Sequence, residues 1–224
     1  MTGPLSNARK LPPRPVMREE VADVIRNAIL VGELPRGSRL DVLAIAGDMS
    51  VSQLPVREAL IALTAEGLVR TEARRGYYVE TIDRMDVLDY FEICGKIEGI
   101  AAARAAEVIS PTQLDELRTA NERMRSSLDP EEQEALNQEF HGMINLIGGS
   151  RRLRSVLRPM SRGMDHFGNL IPDWHSDAAD QHDAVLAALT DNNAEAARTA
   201  MEQHLIVNGR KAADALESAG YFTT

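Results

Sequence analysis

Apolar residues at three- and four-residue spacing open the folded part of the chain. Val21, Val24, Ile25, Ala28 and Ile29 form one stripe of a helix predicted over residues 18–31, with Gly32 as its stop. Asp41 is placed to cap a short helix, Val42 to Asp48. Ser52 is placed to cap a third, whose first turn tolerates Pro55 and whose buried face is expected to be Val56, Ala59, Leu60, Ile61 and Leu63, ending at Gly67. The period then changes. Leu68 to Thr71 and Tyr77 to Thr81 read as strands, joined by the polar turn Glu72-Ala73-Arg74-Arg75-Gly76. Three helices followed by a two-stranded wing is the layout of a winged helix-turn-helix.

After Asp83 the strand signals vanish. Asp83 is placed to cap a long helix reaching about Ile109, and Ser110-Pro111 and Asp129-Pro130 each set a cap before a proline at the first helical position. Further helices are predicted over residues 150–164, 177–190 and 193–217, with Gly163, Gly168 and Pro172 marking an irregular stretch. The fold class is therefore mainly α: an N-terminal winged helix-turn-helix plus a C-terminal all-helical bundle. The expected divisions are a flexible basic arm over 1–15, a DNA-binding domain over 16–81, a helical effector-, metal-binding and dimerisation domain over 82–218, and a tail over 219–224.

Charge sharpens this division. The chain carries −9 overall, but residues 1–80 hold 11 Lys and Arg against 10 Asp and Glu, a balance of +1. Residues 81–224 hold 14 against 24, a balance of −10. DNA binding needs a locally basic surface rather than a basic chain, and an acidic second domain is repelled by phosphate. No apolar run approaches the ~18 residues that span a bilayer, so no membrane partner is expected. Met1 to Arg14 lacks the apolar core of a signal peptide, and the single Cys94 permits no internal disulfide; the expected location is cytoplasmic.

In a helix-turn-helix, the second helix of the pair lies in the major groove with its N-terminal residues at the base edges. Here that helix begins at Ser52, so Ser52, Gln53 and Arg57 are candidate DNA contacts, with Arg74, Arg75 and Gly76 at the wing tip. Helix-turn-helix proteins usually meet palindromic operators as two-fold dimers, so a homodimer on a double-stranded operator is expected.

The second domain holds all five histidines. His141, His182 and His204 fall on three predicted helices that a bundle can bring to one point, and Asn137 stands one turn before His141. Neutral imidazoles suit Zn, Ni, Cu or Fe, so these four residues are candidate ligands of a divalent transition metal, zinc or nickel first. His166 and His175 lie in or beside the irregular stretch. Arg154, Arg158 and Arg162, at four-residue spacing, read as a solvated helix face, with anion partners in a pocket as the alternative. Glu139, two residues from His141, points to another face, and no HExxH-type motif supports a metal-dependent enzyme.

Two resemblances add to this reading. Ala28-Ile29-Leu30 with Gly32, Gly37-Ser38-Arg39-Leu40, Val51-Ser52, Pro55-Val56-Arg57-Glu58-Ala59-Leu60, Glu66-Gly67-Leu68-Val69 and Arg75-Gly76 resemble the GntR family of bacterial regulators over roughly residues 18–80. That family usually has Arg and Thr where this chain has Gln53 and Leu54, so its operator is expected to differ. Lys96-Ile97-Glu98-Gly99-Ile100-Ala101-Ala102, Phe140-His141, Gln181-His182 with Val185-Leu186, and Met201 with His204-Leu205 resemble the FCD ligand-binding domain of the FadR subfamily over roughly residues 85–215.

The FCD resemblance implies an Asp and three His around a divalent ion, often with a small organic acid as effector beside it. The histidines map to His141, His182 and His204, and the Asp position falls on Asn137. Cys94 stands where many members have an arginine. The function implied is a ligand-responsive regulator of transcription, a repressor in most such proteins and not an enzyme. A direct metal sensor without an organic effector is the alternative, and a metal-dependent enzyme the more distant one.

Overall fold

The computed structural model describes residues 17–30, 32–164 and 174–222, which divide into two compact units, Met1–Thr81 and Ile82–Thr224. The basic arm, and His166, Gly168 and Pro172 of the irregular stretch, lie outside the described residues.

In the first unit α1 (Met17–Leu30) buries Val21, Ala22, Ile25 and Ile29. Val24, expected on that stripe, is 55% exposed. At 100° per residue it falls well off the arc centred between Val21 and Ala22, and the remaining place on that arc belongs to Arg26. Arg26 is 1% exposed and forks onto Glu66, with Nε to Oε2 at 2.8 Å and a terminal nitrogen to Oε1 at 2.9 Å; Asp23 completes the set.

A two-residue strand β1 (Arg39–Leu40) precedes α2 (Val42–Asp48), whose first amides at Leu43 and Ala44 are capped by the Asp41 carboxylate. β1 is too short for any periodicity to reveal, and pairing with a later strand creates it. α3 (Gln53–Ala65) buries Val56, Ala59, Leu60 and Leu63. Ile61 lies 100° past Leu60, off that stripe, and is 60% exposed rather than buried as expected. Glu66 follows α3 and closes the pair with Arg26, tying α3 to α1.

β2 (Val69–Glu72) and β3 (Gly76–Val79) form an antiparallel hairpin in a sheet of order β1-β3-β2. The register Glu72↔Gly76 shortens the expected turn to three residues, with Arg74 at φ 65° and Gly76 at φ 108°.

In the second unit α4 (Arg84–Val108) starts at a capping box between Asp83 and Asp86, and α5 (Pro111–Ser126) at one between Ser110 and Gln113. α6 (Pro130–Gly148) follows Asp129, which accepts from the Glu131 amide. α7 spans Arg151–Met164, α8 spans Trp174–Thr190 and α9 spans Ala194–Ser218, the last capped by Asn193. α8 begins three residues before the expected Asp177. The bundle core joins Ala102, Ala105 and Ala106 of α4 to Leu117, Phe140, Ile144, Val185, Leu189 and Met201. Small residues set the spacing. A Cβ on Gly209 of α9 would sit 2.9 Å from the Phe91 Cγ of α4, and one on Gly148 of α6 would sit 2.6 Å from the Ala105 nitrogen. No described helix is long and apolar enough to cross a membrane.

Candidate functional site

Four helices deliver side chains to one buried point in the second unit. His141 comes from α6, His182 from α8 and His204 from α9, and Glu98 from α4 stands behind His141. The ring centroids are 5.2 Å apart for His141 and His182, 5.1 Å for His141 and His204, and 4.7 Å for His182 and His204. One ligand atom from each histidine lies within 4.8 Å of the other two. His182 is fully buried, and Phe140 stacks on its ring at 3.9 Å between centroids and 7° between planes.

The rings are held by their outer nitrogens. His141 Nδ1 lies 2.6 Å from Glu98 Oε2, His182 Nδ1 3.0 Å from Asn121 Oδ1, and His204 Nδ1 3.0 Å from Gln181 Oε1. The amide orientation of Asn121 is fixed, because its Nδ2 donates to the Ala179 carbonyl and to Asp183 Oδ1, both at 3.0 Å. Its oxygen therefore faces His182 as an acceptor, and His182 Nδ1 donates. The Glu98 carboxylate likewise accepts from His141 Nδ1. In a neutral imidazole the other nitrogen then carries a lone pair. In that tautomer the inward-facing Nε2 of each ring carries the lone pair, and the Asn208 amide nitrogen lies 3.5 Å from that of His204. His141 Nε2 and His204 Nε2 are 3.1 Å apart, and His182 Nε2 is buried without a hydrogen-bond partner.

Electrostatics keep two of these rings neutral. Burial, and then the neighbouring histidines and Arg125, hold His182 well below the ordinary histidine range. Burial, His141 and Lys211 do the same for His204. Converging lone pairs on neutral rings repel unless something positive lies between them. The described residues place no Lys or Arg there. The donor set suits a divalent cation, since tetrahedral ligands about 2.0–2.1 Å from zinc stand about 3.3 Å from one another. Asn137 also fits: it lies one turn before His141 on α6, and its Oδ1 is buried with no hydrogen-bond partner.

The other expected residues stand apart from this point. Cys94 is buried on α4, and burial together with the charge of Glu98 pushes its thiol up to about 12. Arg154 and Arg158 are exposed on α7, as a solvated face requires. The side chains of Arg162 and His175 lie outside the described residues. Glu139 is exposed on α6.

Sequence reasoning did not assign roles to Glu98, Asn121 and Gln181. The available signal was a polar residue on an apolar stripe. Glu98 shares its face with Cys94, Ala101, Ala102 and Ala105, and Asn121 lies between Leu117, Ala120 and Met124.

In the first unit, Ser52, Gln53, Leu54 and Arg57 are all exposed at the start of α3. Ser52 occupies the N-cap position, but its hydroxyl makes no capping bond. Gln53 and Arg57 are four residues apart and share the outward face. Arg74 and Arg75 are exposed at the hairpin tip, with Arg75 3.6 Å from Glu72.

Two family models match the chain. The model described as "FCD domain" matches residues 89–206, and that described as "Bacterial regulatory proteins, gntR family" matches residues 17–79. An HTH-type transcriptional regulator of Streptomyces ambofaciens is 31% identical over 195 residues, covering 84% of this chain and 81% of that protein. One from Mycobacterium tuberculosis is 32% identical over 155 residues, 69% of this chain but only 61% of its own length. The HTH-type transcriptional repressor RspR of Escherichia coli is 25% identical over 202 residues, covering 88% and 89%. Among solved structures, E. coli McbR/YncC superposes with a TM-score of 0.66 at 21% identity, covering 92% of this chain and 98% of that one.

Proposed function

The chain belongs to the GntR family of bacterial regulatory proteins and carries an FCD domain, and from that premise we propose that it is a DNA-binding transcriptional regulator whose helical unit holds a divalent transition metal. The relatives above are named as regulators of transcription, which sets the chain apart from metal-dependent enzymes. The observation that carries the metal reading is the set of three imidazoles with their outer nitrogens engaged and their inner nitrogens converging. His141, His182 and His204 would hold the ion, with Asn137 as a fourth, neutral ligand. Imidazole nitrogens suit zinc or nickel. When bound, the ion supplies a Lewis-acidic positive charge that an anionic ligand can meet.

The chain's own residues do the rest. Asn121, Glu98 and Gln181 fix the rings, Phe140 braces His182, and the apolar core keeps water from the back of the site. Three neutral imidazoles and a neutral amide leave much of a dication's charge uncancelled, which favours a small organic acid as effector. The exposed first turn of α3 and the hairpin tip fit an operator, with Ser52, Gln53 and Arg57 toward the bases and Arg74, Arg75 and Gly76 toward phosphate or the minor groove. Leu54 offers a methyl-bearing surface where Thr is usual in the family. We take the protein to act as a homodimer and as a repressor, in keeping with the name RspR bears.

The test is operator binding by the full chain, apo and metal-loaded, across a panel of carboxylic acids. Release of DNA by an acid only when metal is present supports the reading. Release on metal addition alone makes the protein a direct metal sensor. Indifference of DNA binding to both contradicts a sensing role for the helical unit.

A further inference from the structure

A metal site with no charged ligand leaves open where the compensating charge resides. The ligating atoms are three imidazoles and an amide, all neutral. Glu98 is the carboxylate that touches this set. It is 1% exposed, it stands on the apolar face of α4, and its carboxylate oxygen lies 2.6 Å from His141 Nδ1. The neighbouring cation Lys96 is engaged elsewhere, with Glu202.

A carboxylate in the interior is expensive unless a positive charge answers it. An imidazole that ligates a metal is neutral and does not answer it. A dication on the far side of the same ring does. The hydrogen bond also polarises the ring: as His141 Nδ1–H leans toward Glu98, electron density shifts to Nε2, which becomes the stronger donor. The other two rings lack this assistance, because Asn121 and Gln181 are neutral amides. The three histidines are therefore unequal, and His141 is the one with an anion behind it.

We propose, building on the metal reading above, that Glu98 is the positioning residue that supplies the negative charge of the site through His141 and sets its affinity for a divalent cation. Asn137 then need not carry charge, because the carboxylate has been moved back by one imidazole.

Glu98→Gln tests this. It keeps the volume and an acceptor oxygen but removes the charge. Zinc affinity is measured by chelator competition on the full chain at fixed pH, with the thermal midpoint of the apo protein as a check on folding. The account expects zinc to bind about 10–100-fold more weakly, the range for loss of such outer partners. It also expects Asn137→Asp, added to Glu98→Gln, to recover most of that loss. Equal zinc affinity in wild type and Glu98→Gln overturns the proposal and leaves the metal reading standing. No zinc binding by the wild type ends both.

Should Glu98→Gln not fold, the histidine nitrogens of the zinc-loaded wild type decide by NMR. A protonated, hydrogen-bonded Nδ1 with a ligating Nε2 on His141 supports the role of Glu98. A ligating Nδ1 on His141 removes it.

Discussion

Arg26 shows how much a single side chain can bear in the smaller unit. Its guanidinium is buried against Glu66, which is itself only 5% exposed, so removing one partner strands the other. Arg26→Met is expected to cost about 3–5 kcal/mol, the usual penalty for breaking a buried pair, as read by urea denaturation. A loss under 1 kcal/mol would mean that Glu66 finds other company. The pair was not legible in the sequence. An arginine between Ile25 and Asn27 carries no mark of burial, and only the position of α3 supplies its partner.

Arg57 belongs to the same scale but to function. It is exposed on α3 and is expected to meet DNA. Arg57→Ala should weaken operator binding and, if the contact is to phosphate, lower the slope of log affinity against log salt by about one. Unchanged affinity with unchanged salt dependence would remove α3 from the interface.

At the scale of elements, two glycines of α6 make opposite demands. Gly142 is exposed, and a Cβ there meets nothing within 4 Å. Gly142→Ala should therefore stabilise the helix by about 0.5–1 kcal/mol, through the lower backbone entropy of the unfolded chain. Gly148 faces the backbone of α4, where a Cβ would overlap the Ala101 carbonyl and crowd the Ala105 nitrogen. Overpacking of about 1–3 kcal/mol outweighs that gain, so Gly148→Ala should destabilise. Thermal melts of the two variants check both signs, and the same sign in both would contradict this account of how α6 lies on α4.

Helix starts were the most legible elements. Asp41, Asp83, Ser110 and Asp129 announce them locally, because a cap and the amides it binds are neighbours in the chain. β1 was illegible for the opposite reason: Arg39–Leu40 is a strand only because Tyr77 and Tyr78 lie beside it. Val24 and Ile61 misled because apolar character was counted without fixing the arc. The convergence of the histidines was legible, since each sits on a helix and bundles bring helices together. The Glu98–His141 contact was not, since 43 residues separate its partners.

At the scale of the molecule, a near-neutral reading unit is joined to a strongly acidic helical one. On the proposed function, phosphate repels an acidic unit, and orientation on DNA falls to α3 and the hairpin. The account expects a homodimer at micromolar concentration that covers two half-sites about one helical turn apart or closer. Analytical ultracentrifugation with and without operator checks this, and a strict monomer that still binds one operator per chain would contradict it.

The central claim is that His141, His182 and His204 form one metal centre. The most direct measurement is metal content by mass spectrometry after the full chain is loaded with zinc or nickel near pH 7.5 and exchanged into metal-free buffer. It is repeated on His182→Ala and on the triple variant lacking all three histidines. The account predicts one ion per chain in the wild type, loss in both variants, and tighter retention in Asn137→Asp. A triple variant that keeps full metal content, or a wild type that retains neither ion, would contradict it.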